Sequence, residues 1–477
     1  MSDPTDRKRW WALYVLCLGV LMIVLDTTIV NVALPSIRTD LAFTETGLVW
    51  VVNAYMLTFG GFLLLGGRLG DLFGHRRVFL AGLGLFTLAS LACGLAPTQA
   101  VLVVARAIQG LGGAVVSAVA LSLIMNLFTE PGDRAKAMGV YGFVCAGGGS
   151  VGVLLGGVLT SLLSWHWIFL VNLPIGVAVA WLCMALIAPG ERRAYHALDW
   201  SGAASITVAL LIAVYAVVNG NEAGWLSRQT LGLLAASGVL LAAFLAIESR
   251  VREPLVPLAL FRHRNLATAN VAGVLWAAAM FAWFFMSALY MQLVLGYTPL
   301  QVGLSFLPGN LIMAFMSLGA SARIVMRWGI RGPLALGLCI AATGLALFAR
   351  APVGGQFLVD VLPAMVLLGI GAGIAFNPML LAAMNDVQPQ DSGLASGVVN
   401  TSFMMGGALG LAVLASVAAA RTAGVQATGG GEAAALNAGY QLAFALGAGI
   451  AAAAGLLGWF VLRDRADARG QMAVGSH

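Results

Sequence analysis

Two ionisable side chains of opposite sign stand where the sequence is otherwise apolar. Asp26 falls in the apolar run 10–34 and Arg106 in the run 100–125. Asp26 lies nine residues before Pro35, and Arg106 lies nine residues after Pro97. If those prolines mark one boundary of an apolar layer, both charges sit about 13 Å deep at 1.5 Å per helical residue. A carboxylate inside hydrocarbon is costly to hold and is a functional candidate by default. Burial disfavours the ionised form of a carboxylate, whereas a neighbouring guanidinium favours it. Alternation between those two settings would load and unload a proton. The other reading of Asp26 is a cap on local polar groups such as Thr27 and Asn31. For Arg106 it is a structural charge held by backbone carbonyls. Equal depth permits a pair without showing that the two helices touch.

The elements that carry these charges follow from composition. Of 477 residues, 60% are hydrophobic and 9% are charged, and the mean hydropathy is +0.94. A soluble domain carries about 25% charged residues, so a soluble enzyme or nucleic-acid binder is excluded. Fourteen apolar runs, from 10–34 to 438–462, are each near the roughly 20 residues that a transmembrane helix needs. The runs are continuous rather than alternating, which excludes a β-barrel. The first run follows Arg7-Lys8-Arg9, yet its length and its aspartate read as a retained span rather than a signal peptide. With the N-terminus inside, 20 of the 25 Lys and Arg fall on the inner side. That bias expects fourteen spans with both termini cytoplasmic. The net charge of +6 is then a topology signal rather than a polyanion site. The two lysines, Lys8 and Lys136, lie in no GxxxxGK context, so no nucleotide-driven pump is encoded. Cys17, Cys93, Cys145, Cys183 and Cys339 have no metal or redox spacing and read as buried thiols.

An internal repeat organises the spans. At a shift of 255 residues, Arg68 falls on Arg323, Gly74 on Gly329, Arg76 on Arg331 and Gly152 on Gly407. Two six-span halves with two spans inserted between them account for this, an architecture of transporters. The expected division is a first bundle over 1–190, an inserted pair with linkers over 191–264, a second bundle over 265–463 and a polar tail over 464–477. Gly148, Gly152 and Gly156 form a stripe of small residues that lets another helix approach closely. Span nine carries Trp276, Met280, Trp283 and Phe284 about one turn apart. Such a stripe serves packing and lipid contact, or offers stacking to a lipophilic or cationic ligand. Trp50, Asn53 and Tyr55 in span two and Asn310 in span ten are weaker candidates. Asn377, before Pro378, reads as a kink.

The motifs also carry a resemblance. They are Leu25–Pro35 (LDTTIVNVALP), the loop Gly67–Arg77, Arg106-Ala107-Ile108-Gln109-Gly110, Trp165–Pro174 (WHWIFLVNLP), and Tyr290–Leu293 with Gly296–Pro299. Together they resemble the major facilitator superfamily, and within it the fourteen-span drug/proton antiporter branch (EmrB/QacA type). The resemblance implies an all-α integral membrane fold of two six-helix halves plus two inserted helices. It implies a secondary transporter in the cell (inner) membrane, not an enzyme, which exports lipophilic neutral or cationic compounds against protons. A dedicated exporter or flippase for one metabolite, antibiotic or lipid is the alternative; a channel or sensor is a more distant one. Asp26 and Arg106 become the coupling pair, with Asn31 and Gln109 as relays. Gly67, Asp71, Gly74 and Arg76 become a conformational latch. Gly148, Gly152, Gly156 and Gly157 answer to the antiporter motif, with Val153 where that motif has proline. Trp276, Met280, Trp283 and Phe284 become cavity candidates. No cofactor beyond the proton gradient is implied. Small lipophilic substrates, protons and the bilayer are the partners, nucleic acid is not, and a periplasmic adaptor stays open.

Overall fold

The computed structural model describes residues 4–188, 200–251, 254, 258–384 and 392–463. Every regular element among them is helical. The first set comprises α1 (Pro4–Asp40), α2 (Glu45–Phe73), α3 (His75–Gly94), α4 (Gln99–Leu127) and α5 (Pro131–Leu162). The short α6 (Trp167–Leu170), α7 (Asn172–Leu186), α8 (Trp200–Ala223) and α9 (Arg228–Glu248) follow. The second set comprises α10 (Arg264–Leu289), α11 (Pro299–Phe315), α12 (Ser321–Trp328), α13 (Arg331–Phe348), α14 (Leu362–Met384), α15 (Ser392–Ala427) and α16 (Glu432–Val461). Hydrocarbon offers no partner for a backbone N–H or C=O, so spanning segments satisfy themselves as helices.

Twelve helices among the described residues are long and apolar enough to cross a membrane. Two further apolar stretches, Val151–Leu162 and Pro299–Phe315, are shorter; they belong to the expected runs 136–162 and 301–322. The second of those runs is interrupted by a π turn at Met316–Ala320 before α12 begins. The run 167–188 is likewise broken, at Val171 between α6 and α7. The π turn departs from the uninterrupted span expected, whereas Trp167–Leu186 remains one span-length apolar stretch across Val171. Apolar periodicity does not encode where a helix changes its pitch.

The chain forms two compact units, residues 1–255 with 291–307, and residues 256–290 with 308–477. In the first, α1 packs on α5 and α7, α4 on α2 and α3, and α8 on α2 and α9. α8 and α9 thus belong to this unit. Thr207 of α8 lies over Gly61 of α2, the Tyr215 ring lies 6.5 Å from that of Trp50, and Ser237 of α9 donates to the Ala209 carbonyl (2.8 Å). In the second unit, α10 packs on α15 and α16, and α13 on α14 and α16. The pairing of α1 with α5 thus recurs as that of α10 with α15. The glycines that meet α10 are Gly406, against Val274, and Gly410, against Ala278. They lie one residue out of register from the shift that placed Gly152 on Gly407. Large apolar side chains stay exposed, among them Val177, Trp181 and Met184 on α7 and Leu231, Val239 and Leu245 on α9. Such faces suit lipid rather than water.

Local signals set the helix ends that aim the charged residues. Thr44 caps α2 by accepting from the Gly47 N–H (3.0 Å), and Thr98 caps α4 by accepting from the Val101 N–H (3.4 Å). Gly74, at φ +89°, joins α2 directly to α3 in a conformation that a side chain rarely adopts. The indole of Trp165, before α6, donates to Asp40 Oδ2 (2.8 Å) and ties that entry to the end of α1. The expected all-buried cysteines need one correction, because Cys339 is exposed while Cys17, Cys93 and Cys183 are buried. The tail 464–477, Arg192 with Arg193, and the side chain of Cys145 lie outside the described residues.

Candidate functional site

The two intramembrane charges meet. Arg106 Nη1 of α4 donates to Asp26 Oδ2 of α1 at 2.5 Å. The side chains are 1% and 0% exposed. Ionised groups so far from water are tolerated only where every polar atom finds a partner. Here nearly every partner can be named. Arg106 Nε donates to the Val51 carbonyl of α2 (2.9 Å), and Nη1 also donates to Gln109 Oε1 (2.7 Å). The guanidinium carbon lies 4.3 Å from the Tyr55 ring centre and 5.6 Å from that of Phe169, within cation–π range of both.

Asp26 Oδ1 accepts two further bonds, from Gln109 Nε2 (2.7 Å) and Asn172 Nδ2 (3.1 Å). Both amides also donate to Ser90 Oγ of α3, at 2.7 and 2.9 Å. Cys93 Sγ completes the cluster at 3.7 Å from Gln109 Oε1. The carboxylate therefore has three donors and one countercharge. The residues that touch this knot come from α1, α2, α3, α4, α6 and α7 of the first unit. Charge-assisted bonds of this kind are about twice as strong as neutral ones. A bonded, dry pair of this sort can hold a proton or a positive charge, and it responds to any movement among those helices.

The sequence-based candidates divide. Asp26, Arg106 and Gln109 come together. Asn31 does not join them: its Nδ2 donates to the Thr27 and Thr28 carbonyls of its own helix, at 3.3 and 3.4 Å. Asn31 is five residues from Asp26, about 140° around a helix of 3.6 residues per turn, so the two side chains do not share a face. Ser90, Asn172, Tyr55 and Phe169 were not placed at the charges by sequence. Asn172 lies within the quoted Trp165–Pro174 motif, which was the available signal.

Gly67 and Gly74 lie at the end of α2, and Arg76 begins α3. Arg76 Nη2 donates to the Met184 carbonyl near the end of α7 (2.9 Å). A cation at a helix C-terminus is favourable in itself. The Asp71 side chain lies outside the described residues. The glycine stripe does meet a helix, and it is α1. A Cβ on Gly148 would strike Leu21 and Val24 (2.9 Å), one on Gly152 the Leu25 carbonyl (3.0 Å), and one on Gly156 the Ile29 carbonyl (2.6 Å). Gly157 turns elsewhere, to the Pro299 carbonyl at 2.7 Å. In the second unit Trp276, Trp283 and Phe284 are buried and Met280 is half-buried. Trp283 and Phe284 are tilted partners at 4.4 Å. Asn377 Nδ2 donates to the Ser317 carbonyl within the π turn (2.7 Å). Asn310 is 1% exposed and neither of its amide atoms has a partner. Asp360 is local, its Oδ2 accepting from the Gln356 N–H (2.7 Å).

Comparison with known proteins adds to this geometry. The family model described as Major Facilitator Superfamily matches residues 16–411. The chain is 40% identical over 471 residues to the puromycin resistance protein pur8 of Streptomyces alboniger, covering 97% of this chain and 93% of that protein. It is 37% identical over 417 residues to the multidrug resistance protein Stp of Mycobacterium tuberculosis, covering 87% and 77%. Its fold is similar to that of an auto-inhibited POT family peptide transporter, with a TM-score of 0.65 at 18% identity over 96% of this chain and 98% of that one.

Proposed function

The chain belongs to the major facilitator superfamily and is a multi-pass membrane transporter, and from that premise we propose that it exports lipophilic, drug-like compounds in exchange for protons. Asp26 carries the proton, and Arg106 is the fixed cation against which it is held. The observation that carries this reading is the fully buried Asp26–Arg106 pair. Arg106 is held by the Val51 carbonyl, Gln109 and two aromatic faces in addition to Asp26. Asp26 is the partner whose charge can change. The resistance named for pur8 and for Stp supports export and a drug-like cargo.

The finer assignments belong to the same proposal. The chain crosses the membrane fourteen times with both termini cytoplasmic, the shorter Val151–Leu162 and Pro299–Phe315 stretches supplying two of the spans. Two six-helix bundles flank the inserted α8 and α9. Gly67, Asp71, Gly74 and Arg76 latch one state of the cycle. The small-residue face of α5 at Gly148, Gly152 and Gly156 sets its approach to α1, the helix that bears Asp26. Trp276, Met280, Trp283 and Phe284 receive the lipophilic body of the substrate. One intramembrane acid suits neutral or monocationic cargo.

Efflux from everted vesicles under an imposed proton gradient tests the coupling. Collapse on adding a protonophore supports exchange, and flux indifferent to the gradient removes it. A susceptibility screen across unrelated compounds separates a broad exporter from one dedicated to a single antibiotic.

A further inference from the structure

The two amides on Asp26 Oδ1 are not equivalent. Gln109 is committed at both ends. Its Oε1 accepts from Arg106 Nη1 (2.7 Å), and its Nε2 donates to Asp26 Oδ1 and Ser90 Oγ (2.7 Å each). Turning that amide over would set N–H groups against the guanidinium. Asn172 is held only through Nδ2, which donates to Asp26 Oδ1 (3.1 Å) and Ser90 Oγ (2.9 Å). Its side chain is 1% exposed. It is also the first residue of α7, directly after the break at Val171 that separates α6.

We propose that Asn172 positions the proton on Asp26 by turning its amide over. This rests on the reading of Asp26 as the proton carrier. In the ionised state Asn172 donates N–H to Oδ1. A proton added at Oδ1 makes that oxygen a donor, and an N–H facing it would be a buried clash. Rotation of Asn172 about its terminal bond brings the amide oxygen round to accept the Asp26 O–H. Ser90 serves both arrangements, since a hydroxyl accepts in the first and donates to the turned amide oxygen in the second. Oδ1 still accepts from Gln109, and Oδ2 still accepts from Arg106. The proton thus goes onto Oδ1 without breaking the contact to Arg106, and the turned Asn172 Nδ2 gives up its two acceptors in exchange. The titratable and charged groups that face Asp26 are Arg106 from α4, Tyr55 from α2 and Cys93 from α3. α5 meets α1 through Gly148, Gly152 and Gly156 at Leu21, Val24, Leu25, Thr28 and Ile29, and Phe169 of α6 and Asn172 of α7 lie against the pair. Because Asn172 opens α7, the turn of its amide ties the proton state to that helix.

Infrared difference spectroscopy of the full chain in lipid, between acid and alkaline buffer, reads this directly. The carboxylic acid C=O band of protonated Asp26 is identified by its loss in Asp26→Asn. In Asn172→Leu the acid O–H loses its acceptor, and the band should move to the higher wavenumber of an unbonded acid. Asn172→Asp keeps an acceptor and should leave the band in its bonded range. Proton-driven efflux by Asn172→Leu should fall about tenfold, the factor expected for one buried partner left unmade. An unmoved band in Asn172→Leu overturns the role of Asn172 while leaving Asp26 as carrier. If Asn172→Leu does not fold, an unbonded band in Asn172→Asp overturns it equally. Absence of any Asp26-dependent band in the parent protein overturns the carrier reading, and the Asn172 proposal with it.

Discussion

Arg106 on α4 and Asp26 on α1 are 80 positions apart in sequence and 2.5 Å apart in space, with Nη1 against Oδ2. Neither side chain reaches solvent. Removing one member of such a pair leaves the other buried and uncompensated, which destabilises by about 3–5 kcal/mol. Arg106→Gln should therefore lower the thermal midpoint in detergent. The double variant Arg106→Gln with Asp26→Asn should recover most of that loss and none of the transport. Equal loss in both proteins would show that the charges do not depend on each other.

Lysine cannot replace this arginine. The planar guanidinium donates from Nε to the Val51 carbonyl and from Nη1 to Asp26, while Tyr55 and Phe169 meet its face. A lysine ammonium is a compact point charge without that fork. Arg106→Lys should retain folded protein yet lose at least about tenfold in efflux, one unmade buried bond being worth about 1–3 kcal/mol. Vesicle efflux at matched expression measures it, and parental rates would refute the geometric argument.

The Tyr55 hydroxyl is buried with no hydrogen-bond partner, whereas its ring lies over Arg106. Tyr55→Phe keeps the ring and removes an unsatisfied group, so the thermal midpoint should hold or rise. Tyr55→Leu should lose the cation–π contact and destabilise by about 0.5–2 kcal/mol. A large loss in Tyr55→Phe would mean that the hydroxyl, not the ring, is what matters.

Gly156 brings α5 onto the Ile29 carbonyl of α1, where a Cβ would stand 2.6 Å away. Gly156→Val should lower both stability and transport, because backbone rather than a flexible side chain stands in the way. Gly84→Ala, where nothing lies within 4 Å, is the matched control and should be neutral.

Asn310 buries an amide with neither atom bonded. Each such group is destabilising by about 1–3 kcal/mol. Asn310→Leu should raise the thermal midpoint. A rise in KM beside that gain would identify the amide as a substrate contact, and an unchanged KM would remove it from consideration.

Some of this was legible in the sequence and some was not. Asp26 and Arg106 were found because a charge in an apolar run stands out. Their equal depth followed from Pro35 and Pro97. The stripe Gly148, Gly152, Gly156 announced close packing by its four-residue spacing, although its partner α1 required the fold. Ser90 and Asn172 were missed as partners because a neutral polar side chain in an apolar helix leaves no charge signal. Asn31 lies apart from the pair because its helix turns it toward its own carbonyls. The bond from Arg76 to the Met184 carbonyl was not legible, since a helix end presents partial charge that composition does not display. The π turn at Met316–Ala320 had no apolar period to betray it, and Asn377 reveals it only once its bond to Ser317 is seen.

Proton carriage by Asp26 is tested most directly by following protons rather than drug. Purified protein in weakly buffered detergent, near neutral pH, is mixed with a transported compound while a pH indicator is read. The parent protein should exchange protons with solution on binding, and Asp26→Asn, folded and still binding the compound, should exchange none. The same proton signal from Asp26→Asn would contradict proton carriage at this residue.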